Sequence, residues 1–166
     1  MPQTQKISIR PLQHPDESHA CAQLMANSEP WLTLRRTYQD GLKALRDSTR
    51  EVYVALVGDA LAGFIILNVR GPFSGYIRTI CVAPEWRNRG LGRQLLAFAE
   101  ARIFRESPNV FLCVSSFNTG AQRFYARLGY QRVGELQDYV VQGHSEILLR
   151  KTLGPIAGFI PPSSPS

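Results

Sequence analysis

The chain is poor in the residues that would assign it to several large classes. It has 3 cysteines, Cys21, Cys81 and Cys113, and no two of them form a Cys-x-x-Cys pair. Cys81 and Cys113 sit in apolar, strand-like runs. All three read as buried free thiols, which excludes a disulfide scaffold and suits a reducing compartment. The 3 histidines, His14, His19 and His144, lack metal-ligand spacing, so no metal site is expected. Charged residues make up 19% of the chain, too few for a disordered polyampholyte. No apolar run approaches the ~18 residues that cross a bilayer, and the densest stretch is 61–67. Residues 1–10 carry no apolar segment of a secretory leader. A cytoplasmic protein with no membrane partner is the expectation.

Lysine is also scarce. Lys6, Lys43 and Lys151 are the only lysines, yet the formal net charge is +6, so arginine supplies most of the positive charge. Arginine is the side chain suited to bidentate contact with phosphate. The excess points either to an anionic ligand or to a solvated basic surface. Nucleic-acid binding is not expected, because no helix-turn-helix, RRM or zinc pattern accompanies the charge.

What is present is apolar material for one sizeable core: 166 residues, 44% of them hydrophobic, suit a single domain. Alternation predicts an edge-like strand at 7–12. Helices are predicted at 16–27 and at 31–45, the second starting just after Pro30. Strands follow at 51–57 and 61–69, joined by a turn at Gly58 and Asp59, and at 76–82, ended by Pro84. A helix is predicted at 90–105, then a wholly apolar strand at 110–114 suited to a sheet centre. Ala121, Phe124, Tyr125 and Leu128 mark a helix at 118–128 that Gly129 ends. Strands at 130–136 and 145–150 complete a mixed α/β chain. The domain is expected to span 1–153. Residues 154–166 form a Pro/Ser-rich tail, disordered or loosely draped.

One segment breaks several local rules at once. Between the strand at 76–82 and the next helix stand Arg87, Asn88, Arg89, Gly90, Leu91, Gly92 and Arg93. Two glycines would each cost about 1 kcal/mol within a helix. Three arginines sit at the positive end of the helix dipole, where cations are disfavoured. Asn88 is the nearest capping candidate, and no acid lies between Trp86 and Ala99. A bound anion resolves all three conflicts. Orphan N–H groups would point at it, the glycines would let it approach, and the arginines would neutralise it. A Walker loop is excluded, because no Gly-Lys-Ser/Thr follows.

Arg87, Gly90 and Gly92 fill the fixed positions of Gln/Arg-x-x-Gly-x-Gly/Ala, and the segment resembles the acyl-CoA pyrophosphate loop of the GNAT superfamily of N-acyltransferases. Ile80, Cys81, Val82, Ala83 and Pro84 resemble that family's fourth strand. Asn118, Ala121, Phe124, Tyr125, Gly129 and Tyr130 resemble its second signature, in the right order. The resemblance covers 7–151. It implies a mixed sheet of about seven strands, splayed between strands 4 and 5 and flanked by four helices. It also implies acetyl-CoA as co-substrate, transfer of the acetyl group to a primary amine, and a small-molecule or peptide acceptor; a homodimer is compatible with it. Backbone groups of Ile80, Cys81 and Val82 would pair with the pantetheine arm. Arg87, Asn88, Arg89, Gly90, Leu91, Gly92 and Arg93 would hold the pyrophosphate, and Asn118 and Tyr125 would contact the cofactor. Tyr125 would also be the acid for the departing thiolate, since a phenol (pKa ~10) is protonated where a thiol (pKa ~8.5) ionises. A non-catalytic acyl-CoA sensor would need the loop but not Tyr125.

The predicted fourth and fifth strands contain no carboxylate to serve as general base. Glu146, His144, Asp138, Glu135 and Tyr76 remain as candidates, which points to acceptor amines of low pKa. By the same resemblance, Ser28, Glu29, Pro30, Trp31, Leu32, Thr33, Leu34, Tyr38, Asp138, Tyr139 and His144 would wall the acceptor pocket.

Overall fold

The computed structural model describes residues 6–163. Most of the stretch read for a leader, and the last three residues of the Pro/Ser tail, lie outside them. Among the described residues the order is β1 (Ile7–Pro11), α1 (Pro15–Ala26), α2 (Tyr38–Leu45), β2 (Glu51–Val57), β3 (Ala60–Asn68), β4 (Tyr76–Val82), α3 (Leu91–Ile103), β5 (Asn109–Ser115), α4 (Thr119–Arg127), β6 (Gln131–Leu136) and β7 (Glu146–Thr152). A short 3-10 turn, Pro84–Trp86, follows β4. Seven strands form one mixed sheet in the order β1-β2-β3-β4-β5-β7-β6. None of the described helices is long and apolar enough to cross a membrane. After β7 the chain runs as turns and irregular backbone to Ser163, with Ile156 and Ile160 exposed.

The sheet is covered on both faces, and β3 shows why. Phe64, Ile65, Ile66 and Leu67 are all fully buried. Successive side chains point to opposite faces. Phe64 and Ile66 pack with Cys21, Ala22, Met25 and Leu42 of α1 and α2. Ile65 and Leu67 pack with Leu91, Leu95 and Ala99 of α3 and with Tyr125 of α4. A strand buried on both sides must be continuously apolar, as this one is.

The expected helix at 31–45 is shorter than its apolar pattern. Helix α2 starts only at Tyr38, because Thr37 and Asp40 form a reciprocal cap. The Thr37 hydroxyl accepts the Asp40 N–H at 3.2 Å, and the Asp40 carboxylate accepts the Thr37 N–H at 2.8 Å. Residues 31–35 are turns, and Arg35 sits at φ 55°. At the other end of the chain, Gly129 follows α4 at φ 92°, as a C-terminal glycine should.

The feature that shapes the centre is the pairing of β4 with β5. These parallel strands pair only at Tyr76 with Phe111 and Ile77 with Leu112. On its other side β4 carries a bulge: Thr79 faces Ile66 and Ile77 faces Leu67, leaving Arg78 as the extra residue. A bulge bends its strand, and from here β4 and β5 diverge. The expected splay is therefore present.

Gly75 holds the closed end. Its carbonyl accepts the Phe111 N–H at 2.9 Å, its φ is +88°, and a Cβ there would lie 2.1 Å from the Asn109 carbonyl oxygen. Both backbones are fixed, so no side chain can yield. Gly75→Ala is expected to lower stability by about 3 kcal/mol, from left-handed strain plus overlap. Urea denaturation against the parent protein measures it.

Candidate active site

The divergence of β4 and β5 opens a cavity of about 860 Å³. Its walls include Ile80 of β4, Cys113, Val114 and Ser115 of β5, Asn118 and Tyr125 at α4, and Glu146 of β7. Trp31, Leu34, Arg36, Tyr76, Arg78 and Tyr139 line it as well.

The ladder decides which backbone groups face the gap. The Ala83 N–H donates to the Ala62 carbonyl at 2.8 Å, and Cys81 stands opposite Phe64. Polar groups alternate sides along an antiparallel strand, so Cys81 bonds to β3 while Ile80 and Val82 turn toward β5. The Arg87 side chain reaches the Val82 carbonyl at 3.1 Å, as this orientation requires. The structure thus turns Cys81 away from the gap. Its side chain is buried under α1 and α2, and burial pushes the thiol up to about 12.

The loop after β4 has the shape of an anion cradle. Asn88 and Gly90 both take left-handed backbone, at φ 58° and 82°. Gly90 is the residue just before α3, not its first helical residue, and Asn88 does not cap the helix. Because glycine has no side chain, the orphan N–H groups of Leu91, Gly92 and Arg93 go uncapped, and the first turn has no acid. A Cβ at Gly90 would meet nothing within 4 Å, so this end of the helix is open. Gly92 packs nearer Val82 and Phe124, each 3.9 Å from such a Cβ. The Arg89 guanidinium lies over the Trp86 ring, 5.2 Å from its centroid, and Arg93 is exposed.

Asn118 caps α4: its amide oxygen accepts the Ala121 N–H at 3.2 Å, while the residue also lines the cavity. Tyr125 is 6% exposed and packs edge-on against Phe124 and Tyr130. Burial alone drives its phenol well above the ordinary tyrosine range, so at neutral pH it is a proton donor.

The base candidates separate cleanly. Asp138 accepts the Gly143 N–H at 2.6 Å within its own loop. Glu135 pairs with Arg132, and His144 packs on Phe117. None of these three lines the cavity; Glu146 and Tyr76 do. Burial pushes the Tyr76 phenol up, which disfavours it as a base. Glu146 is 7% exposed and accepts the Ser115 hydroxyl at 2.7 Å. Its pKa is raised by burial, opposed by the Ser115 hydrogen bond and by the charge of Arg36. Of the expected acceptor wall, Pro30, Trp31, Leu34 and Tyr139 line the cavity. Tyr38 instead contacts His19, the Ser28 hydroxyl bonds the Leu24 carbonyl at 2.6 Å, and Glu29 accepts the Thr33 N–H at 3.2 Å. The sequence did not reveal that Ser115, Arg36 and Arg78 belong to the site. Ser115 depends on strand register, Arg78 on a bulge, and Arg36 on the turn that bonds its N–H to the Trp31 carbonyl, none of which local patterns encode.

Comparison with known proteins adds to this geometry. A family model described as "Acetyltransferase (GNAT) family" matches residues 12–130. The N-alpha-acetyltransferase RimI of Mycobacterium tuberculosis is 28% identical over 158 residues, which cover 91% of this chain and 96% of RimI. The ribosomal-protein-S18-alanine N-acetyltransferase of Escherichia coli superposes with a TM-score of 0.70 at 18% identity, covering 90% of this chain and 96% of its own. An aminoglycoside 6′-N-acetyltransferase complexed with coenzyme A gives a TM-score of 0.71 at 19% identity, over 89% of this chain and 98% of its own.

The Ser115 hydroxyl stabilises the charged form of Glu146. In carbon-detected NMR titration, Glu146 is expected to titrate above the usual glutamate range, and Ser115→Ala is expected to move it higher still.

Proposed function

Since this chain belongs to the GNAT family of acetyltransferases, we propose that it transfers the acetyl group of acetyl-CoA to a primary amine by direct attack in a ternary complex. Acetyl-CoA is the donor the family uses, and the residues present fit it. Gap-facing backbone of Ile80 and Val82 suits the pantetheine amides. The uncapped start of α3, with open space at Gly90 and arginines at 87, 89 and 93, suits the pyrophosphate. The carrying observation is one cavity that holds a buried phenol donor, Tyr125, and a buried carboxylate, Glu146, beside that gap.

The donor contributes an acetyl group activated as a thioester. The amine nitrogen forms the new bond to the acetyl carbon as the carbon–sulfur bond breaks. Tyr125 offers its hydroxyl proton to the departing sulfur. Burial makes this phenol a weak acid, so it acts chiefly by hydrogen bonding, and the same burial keeps the sulfur basic. Glu146, with a raised pKa, receives the proton that the amine sheds, directly or through water. Ser115 and Arg36 favour its charged form against the effect of burial. With Glu146 in place, the acceptor need not have a low pKa. The catalytic unit comprises residues 1–153, and 154–166 is an appended tail.

Thiol release from acetyl-CoA across a panel of amines tests this reading, and turnover with some acceptor is required. Tyr125→Phe is expected to lower kcat by about a hundredfold, the usual size of a general-acid contribution, while acetyl-CoA affinity changes little. Unaltered kcat would remove Tyr125 from the mechanism. Gly90→Val is expected to weaken acetyl-CoA binding by about a hundredfold in calorimetry, because a branched side chain strains the left-handed turn and fills the approach to the N–H groups. Unchanged affinity in the folded variant would refute the cradle.

A further inference from the structure

The cavity has a charge pattern that the transfer chemistry uses only in part, through the influence of Arg36 on Glu146. Three arginines line it: Arg36, Arg70 and Arg78. Arg70 is occupied, with Glu106 at 3.1 Å. Among the described residues, Arg36 and Arg78 form neither an ion pair nor a side-chain hydrogen bond. Arg78 is the bulge residue of β4, an exposed residue on the cavity wall at the point where the strands part. Its charge is disfavoured first by partial burial and then by the like charge of Arg50 and, more weakly, Arg36, with Tyr76 and Tyr139 opposing. Arg36 follows the left-handed Arg35, and its N–H bonds the Trp31 carbonyl at 2.9 Å, which fixes the segment that carries it.

The acids of the cavity feel the charge of Arg36 but form no ion pair with Arg36 or Arg78 among the described residues. Only Asp40 and Glu146 line it. Asp40 spends one carboxylate oxygen on the cap of α2, accepting from the Thr37 N–H at 2.8 Å and hydroxyl at 2.9 Å. Glu146 is bound by Ser115. The buried amide oxygen of Asn68, also on the cavity wall, has no hydrogen-bond partner. The wall therefore offers free donors with positive charge and one free neutral acceptor. A molecule bearing both an oxyanion and N–H groups complements that set. A polycationic amine would meet two unpaired guanidiniums and only two carboxylates, each with one oxygen already in a hydrogen bond.

We propose that the acceptor is a small amine that carries an oxyanion, a carboxylate or a phosphate, on the same molecule, and that Arg78 together with Arg36 binds that oxyanion. This deepens the acetyltransferase reading and rests on it. Planar guanidiniums suit carboxylate and phosphate equally, through paired N–H bonds. The two arginines thus act as a specificity device for the acceptor, separate from the arginines of the cradle.

The test compares matched amines, each per unit of free base: glycine against glycinamide, phosphoethanolamine against ethanolamine, and kanamycin as the polycation. One anionic member is expected to exceed its neutral partner in kcat/KM by about tenfold or more, and whichever pair shows the larger ratio identifies carboxylate or phosphate. In Arg78→Gln and Arg36→Gln that ratio should fall toward one. Arg78→Lys, which keeps the charge but loses the planar fork, should retain part of it. Calorimetry with CoA and N-acetylglycine or N-acetylglycinamide, and with the corresponding N-acetylated phosphoethanolamine and ethanolamine, supplies a readout that needs no turnover. An anionic product should bind more tightly than its neutral partner, and Arg78→Gln should remove the difference. Turnover without any oxyanion preference, or a preference that survives both glutamine variants, overturns the proposal and leaves the acetyltransferase reading standing. Arginine-dependent binding of an anionic product without turnover of any amine leaves the oxyanion site standing and overturns the transfer reaction.

Discussion

The structure depends on two residue pairs. Strands β4 and β5 are joined only at Tyr76 with Phe111 and at Ile77 with Leu112. Past that point each strand turns its hydrogen-bonding edge to an open space. Buried backbone polar groups normally find partners within the fold, so an opening in the middle of a sheet is a standing demand for a ligand that brings its own amides. Gly75, locked against the Asn109 carbonyl, and the Arg78 bulge are the local devices that hold the opening at one end only. Most of the site is arranged around its rim.

Charge is distributed around that opening with a division of labour. The start of α3 gathers arginines and free N–H groups and has no acid. That arrangement is unfavourable for an isolated helix and suits one facing a multiply charged anion. On the far wall a single carboxylate, Glu146, is buried and steadied by one hydroxyl. Burial penalises its charged form, while Ser115 and Arg36 favour it. A group balanced between these influences can change protonation state more cheaply than an exposed glutamate held firmly ionised. Tyr125 is the counterpart whose proton burial retains.

Much of this was legible in the sequence, and the limits are instructive. The strands at 51–57 and 76–82 are found where the alternation places them, because their apolar positions match the two faces of the sheet. The broken helix rules around Gly90 marked the uncapped end of α3, with the helix beginning one residue later than expected. The second helix was read too long, since the apolar spacing continued through Trp31 and Leu34 while the reciprocal cap of Thr37 and Asp40 set the true start. Glu146 stood among five candidates with nothing to single it out. Only the register of β5 with β7 places it opposite Ser115, 31 residues away in the chain. Arg78 could not be read at all, because a bulge depends on the mismatch between two strands and not on one of them.

Strand β7 is the last of the described strands, yet it lies inside the sheet, between β5 and β6. During synthesis β5 therefore emerges well before the partner that will cover its outer edge. Until the β6–β7 hairpin docks, the backbone groups of Asn109–Ser115 are an unsatisfied edge flanked by Val110, Leu112 and Val114, all of which end up buried. An apolar edge of this kind recruits foreign strands. The nascent protein is thus most vulnerable to aggregation in the interval when the cradle has been made and Glu146 has yet to arrive.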